Sequence, residues 1–76
     1  MDNWQNRISI NPNIRFGKPC VKGTRITVGD ILAWLSQEMT HEEIIEDFPE
    51  LEVADILAAL AYASQREQTA RILATA

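Results

Sequence analysis

Three stretches of the chain repeat one order of residues: an apolar position, a cap, two further residues, an acid, and a second apolar position. They are Ile26-Thr27-Val28-Gly29-Asp30-Ile31, Met39-Thr40-His41-Glu42-Glu43-Ile44 and Leu51-Glu52-Val53-Ala54-Asp55-Ile56. Each predicts a helix start. The cap accepts from an N–H that has no partner inside the helix, and the acid three residues on answers the cap's own N–H. The apolar pair around them closes as a staple. Acids in the first turn also suit the positive end of the helix dipole. Glu52 is a poor cap, which makes the third start the weakest of the three.

From these starts the apolar spacing predicts a first helix over 28–38, with Val28, Ile31, Leu32 and Leu35 on one stripe. A short second helix over 41–48 turns Ile44, Ile45 and Phe48 inward and stops against Pro49. The third helix begins near Val53 and meets no Pro or Gly before the end of the sequence. Val53, Ile56, Leu57, Leu60 and Ala63 are its expected core stripe, and its alanines favour helix and permit a close neighbour. Upstream, Ile8-Ser9-Ile10 and the segment ending in Lys22-Gly23-Thr24-Arg25-Ile26 alternate between turn formers, which predicts two short strands. A two-stranded ribbon is marginal alone, so it packs on the helices or pairs with another copy. The expectation is a single mostly helical domain over 1–76, with a β-arm over 1–26 and three helices over 27–76, the last of them extended.

At 76 residues such a domain buries only about 60% of its unfolded surface, and one core supplies roughly 3–5 kcal/mol. The lone Cys20 cannot close an internal disulfide, and the lone His41 has no Cys or His companions with which to build a metal site. No cofactor is expected. Self-association is the remaining support, and Ile72 and Leu73, beyond the reach of a three-helix core, need a cover. A homodimer is expected. No apolar run approaches the roughly 18 residues of a membrane span, no basic-then-apolar segment opens the chain, and a free cysteine fits a reducing compartment. A cytoplasmic protein is expected.

Charge changes the picture more than composition does. The net charge of −4 is segregated along the chain. Residues 1–27 hold Arg7, Arg15, Lys18, Lys22 and Arg25 against Asp2 alone, whereas 28–65 hold no Lys or Arg and carry acids from Asp30 to Asp55. Two faces with different partners explain this, although an acidic run also serves merely to solvate a helix. Arg15, Lys18, Lys22 and Arg25, interspersed with Gly17, Pro19 and Gly23, are candidates for gripping nucleic-acid phosphates; a solvated edge that blocks strand pairing is the alternative. Glu42, Glu46, Asp47, Tyr62, Ile72 and Leu73 are candidates for contact with a protein partner.

The tight joint between the second and third helices resembles a helix-turn-helix, and an ordinary three-helix bundle has the same spacing. The start of the third helix offers Glu52, Ala54, Asp55, Ala58 and Ala59 where a recognition helix meets bases. None of these reads a base edge, and acids there are repelled by phosphate. Catalysis has no visible basis. His41 sits in a first turn, where the dipole disfavours its charged form; the glycines are too few for a phosphate loop; and Cys20, between Pro19 and Val21, reads as packed. Trp34 and Trp4 are either core residues or interface anchors. The chain is not expected to be an enzyme.

The run Gly17-Lys18-Pro19-Cys20-Val21-Lys22-Gly23-Thr24-Arg25-Ile26-Thr27-Val28 resembles domain-of-unknown-function family 433, small prokaryotic proteins described as antitoxin-like. The likeness continues through Met39-Thr40, Glu43 to Leu51, and Asp55 to Ala63, about residues 8–63 in all. It implies a homeodomain-like three-helix fold behind a short β-arm. It also implies an antitoxin role beside a PIN-like ribonuclease toxin, with binding to the operon's own DNA, and no catalysis. Two residues depart from the family pattern. Glu38 stands where a Gly would close the first helix in a left-handed conformation, and Glu52 replaces a Ser or Thr cap. A pure protein-binding adaptor without nucleic-acid contact is the alternative function.

Overall fold

The computed structural model describes the backbone of residues 4–75 and the side chains of residues 4–67. Ile72 and Leu73 thus lie outside the described side chains. A 3-10 turn, Trp4–Asn6, leads into β1 (Ile8–Ser9), which pairs antiparallel with β2 (Cys20–Val21), Ile8 opposite Val21 and Ser9 opposite Cys20. Three helices follow: α1 (Val28–Ser36), α2 (His41–Asp47) and α3 (Val53–Thr75). The fold is mostly helical, with a two-stranded antiparallel sheet at its N-terminal end.

The helix starts fall where their caps stand. The Thr27 hydroxyl accepts from Asp30 N–H at 2.9 Å, while the Asp30 carboxylate accepts from Thr27 N–H at 3.1 Å. Thr40 and Glu43 repeat the exchange at 3.1 and 2.8 Å. The third start keeps half of it. Asp55 accepts from Glu52 N–H at 2.8 Å, and Glu52 itself is exposed. The apolar staples close beneath these caps, for Ile26, Ile31, Ile44, Leu51 and Ile56 all belong to one core cluster with Met39 packed against it.

Glu38 ends α1 without glycine. Its φ is +67°, its N–H donates to Leu35 O, and Met39 N–H reaches back to Trp34 O at 3.2 Å. This crossed pair is the left-handed Schellman closure, carried here by a residue whose Cβ disfavours it.

The buried face of α3 differs from the expected stripe. Of that stripe Ile56 is buried and Ala63 packs against the core. Val53, Leu57 and Leu60 are exposed, at 46%, 52% and 39%, and Ala58, Ala59 and Tyr62 are buried in their place. Two stripes fit the helical period, and the one carrying small residues wins because it permits close approach. α1, the strand β1 and the 3-10 turn all pack on α3, and an alanine pair leaves room for them. The arm adds its own fasteners to this face. Trp4 meets Tyr62 edge-on, with ring centroids 4.9 Å apart, and its indole N–H donates to Gln65. Trp34 of α1 stacks on Phe48 at the end of α2, centroids 4.4 Å apart.

Candidate binding surfaces

The arm is built from two turns in which a left-handed residue is required. In the second, Thr24 N–H donates to Val21 O at 3.0 Å around Gly23, whose φ of +82° suits the third position of such a turn. The Thr24 hydroxyl donates to Val21 O and accepts from Ile26 N–H, tying the loop shut at both ends. Ile26 then enters the core. Pro19 O accepts from Val28 N–H, which ties the stretch before β2 to the first turn of α1. The fold thereby accounts for Pro19, Gly23, Thr24 and Ile26. Lys18, Lys22 and Arg25 are left in solvent, with no ion pair among the described residues.

Two of the arm's arginines are spent inside the molecule. The Arg7 guanidinium donates to buried Asp55 at 3.0 Å and lies 3.5 Å from Glu52, clamping the arm to the start of α3. Arg15 donates to Asp30 at 3.1 Å and to the Arg25 carbonyl at 2.9 Å, clamping it to the start of α1. Part of the charge segregation is therefore internal stitching between a cationic arm and acidic first turns. Burial raises the pKa of the Asp30 carboxyl. The hydrogen bonds from Thr27 and the Arg15 charge outweigh that effect and hold it below the ordinary carboxylate value.

The four sequence-derived cations do not form one cluster. Arg15 is tied to Asp30. Lys18, three residues on, and Arg25, whose carbonyl accepts from Arg15, are exposed, while Lys22 shares a polar cleft of about 260 Å³ with Asn6, Arg7 and Asp55. On α2, Glu42, Glu46 and Asp47 are all exposed, without ion pairs among the described residues. Tyr62, a candidate for partner contact, is only 7% exposed and gives its ring to Trp4. What it offers to solvent borders a second cleft, about 280 Å³, lined also by Trp4, Ile10, Gln65 and Arg66. Ala58 and Ala59, read from sequence as part of an outward recognition face, are buried at 6% and 0%. Ahead of Gln65 and Arg66, the outward positions of α3 are Val53, Leu57, Leu60, Ala61 and Ser64, with Glu52 just before the helix, and none is an Arg, Lys, Asn or Gln.

One residue escaped the sequence reading. Phe16, between Arg15 and Gly17, is 97% exposed. A bulky aromatic beside glycine in a loop short of apolar neighbours was the available signal. Among the described residues no His, Cys, Asp and Glu group is arranged to hold a metal, and no helix is long and apolar enough to cross a membrane.

Residues 8–63, which hold both turns and all three helix starts, match the family described as a protein of unknown function, DUF433. The chain belongs to this family. A DUF433 member protein from Anabaena variabilis ATCC 29413, known from a crystal structure, is similar over most of the chain. It is 34% identical, the match covers 92% of this chain and 70% of that one, and the TM-score is 0.77. No curated protein matches the chain. The DUF433 match spans the Arg15 and Asp30 clamp as well as the Schellman closure at Glu38.

Proposed function

We propose that this DUF433 chain is an antitoxin-like regulator of the cytoplasm, a homodimer that occupies a PIN-like ribonuclease toxin with its acidic helix face and contacts operator DNA with its basic arms. The observation that carries the reading is the division of unpaired charge. Lys18, Lys22 and Arg25 are exposed on closed turns, and Glu42, Glu46 and Asp47 are exposed on α2. A ribonuclease must attract RNA phosphates, so an acidic surface is a natural competitor for its groove. The α2–α3 joint over 48–52 supports a homeodomain-like helix-turn-helix, but the exposed positions at the start of α3, where bases would be met, are the acidic Glu52 and the apolar Val53, Leu57 and Leu60. DNA contact is therefore assigned to the arm. The exposed stripe of Val53, Leu57 and Leu60, spaced for one helix face, supports association between two copies.

A second reading, a protein-binding adaptor without nucleic-acid contact, is favoured by one observation. The ties of Arg7 and Arg15 to Asp55 and Asp30 leave fewer free cations than the sequence promises.

The test uses a purified PIN-like ribonuclease encoded beside this chain. Stoichiometric addition of the chain is expected to suppress RNA cleavage, and reversing Glu42, Glu46 and Asp47 to Lys is expected to abolish the suppression while leaving the helical spectrum unchanged. Cleavage that proceeds equally with and without the wild-type chain overturns the antitoxin reading.

A further inference from the structure

We infer that Phe16 is a stacking platform for an unpaired nucleobase, held away from the protein by a strained turn and flanked by cations placed for the neighbouring phosphates. Phe16 combines two unfavourable features. Its ring is 97% exposed, although phenyl rings ordinarily end in cores. Its φ is +59°, inside a left-handed run of Arg15 at +49°, Phe16 and Gly17 at +82°. Gly enters that region freely, whereas a bulky residue stays there only where its surroundings over-determine it.

The surroundings do so. Arg15 is clamped to Asp30 and to the Arg25 carbonyl, at 3.1 and 2.9 Å. Gly17 N–H donates to Ile14 O at 3.1 Å and Lys18 N–H to Arg15 O at 3.2 Å. The ring therefore stands on a fixed base, and a partner that takes it loses little freedom in doing so.

Charge selects the partner. An aromatic anchor for a protein normally lies at the centre of an apolar patch with a polar rim. Phe16 is followed two residues on by the exposed Lys18, and the Arg15 clamp, itself tied to Asp30, brings the backbone of the exposed Arg25 to the same place. A flat exposed ring beside two exposed cations, Lys18 and Arg25, matches a base beside its phosphates, and every base offers a stacking face. The base must be unpaired, because the face of a stacked base in an intact duplex is already covered.

This inference rests on the proposed contact of the arm with nucleic acid, and it adds the one contact that is not electrostatic. Stacking adds affinity without releasing counterions, so ring and cations leave different marks on a salt titration. The experiment is fluorescence anisotropy of a short mixed-sequence single-stranded oligonucleotide titrated with the whole chain at several salt concentrations. Phe16→Asn keeps a residue that tolerates the left-handed region, and Phe16→Tyr keeps a ring.

Phe16→Asn is expected to weaken binding by about 5- to 100-fold with the slope against log salt unchanged, while Phe16→Tyr binds as wild type does. Binding that depends on salt but is equal in wild type and Phe16→Asn overturns the stacking role and leaves the arm's electrostatic contact standing. No binding of the single-stranded oligonucleotide by the wild type at any salt overturns the stacking role, and the same titration with a duplex of that sequence decides the arm's proposed contact separately. A Phe16→Asn chain that binds the oligonucleotide normally but sediments differently assigns the ring to a protein contact, which also overturns the inference.

Discussion

Glu38 shows how a single side chain can sit against its backbone. At φ +67° its Cβ crowds the following carbonyl, and the Schellman closure keeps it there because Met39 and Trp34 are both packed on the core. Glu38→Gly is expected to stabilise the protein by about 0.5–1 kcal/mol, the left-handed penalty less the freedom glycine gains when unfolded. Urea denaturation measures it, and an unchanged or lowered midpoint would count against this account of the turn. Asp30 provides the matching test in pH. Its carboxyl is held below the ordinary value when folded, so its contribution is complete above the unfolded pKa of about 4 and is lost as pH falls through the folded one. Asp30→Asn should be destabilised near neutrality, and its denaturation midpoint should fall less steeply than that of wild type below about pH 4. The role of Asp30 as a helix-start acid was legible in sequence. Its bond to Arg15 was not, because the two lie fifteen positions apart and local patterns do not carry such pairings.

Among the elements, the helix starts were readable because a cap is a local device, complete within four residues. Thr40→Ala should cost about 0.5–2 kcal/mol, since it removes the acceptor for Glu43 N–H. His41→Ala should be nearly neutral. Thermal or chemical denaturation in which His41→Ala costs more than Thr40→Ala would reverse this assignment. The buried face of α3 was not readable, because its periodicity allowed two stripes. Only the packing of Trp4 on Tyr62 and of Arg7 on Asp55 selects between them. The candidate site divided in the same way. The cations were visible as a cluster in sequence, but the structure sends Lys22 to a cleft with Arg7 and Asp55 and withdraws Arg15 into an ion pair. Glu42, Glu46 and Asp47 kept the exposed positions that their helical spacing implied.

For the whole molecule, a small core with no disulfide or metal among the described residues and an exposed Val53, Leu57 and Leu60 stripe call for a cover. A homodimer is expected at micromolar concentration, and Leu57→Glu combined with Leu60→Glu should shift it to monomer. Sedimentation equilibrium that returns only the 8.6 kDa species for wild type would remove the dimer. The central claim is that contact with nucleic acid belongs to the arm and not to α3, and a salt titration of DNA binding tests it most directly. Lys18, Lys22 and Arg25 give three exposed cations per protomer. If those of both protomers reach phosphates, log affinity falls against log salt with a slope near −5, from roughly 0.9 per contact. Changing Lys18 and Lys22 to Ala should weaken binding alike across sequences and flatten that slope by about 3–4 units. Ala61→Ser and Ser64→Ala, on the exposed side of α3, should change little. A slope near zero, or an arm variant that binds like wild type while an α3 variant fails, would contradict the account.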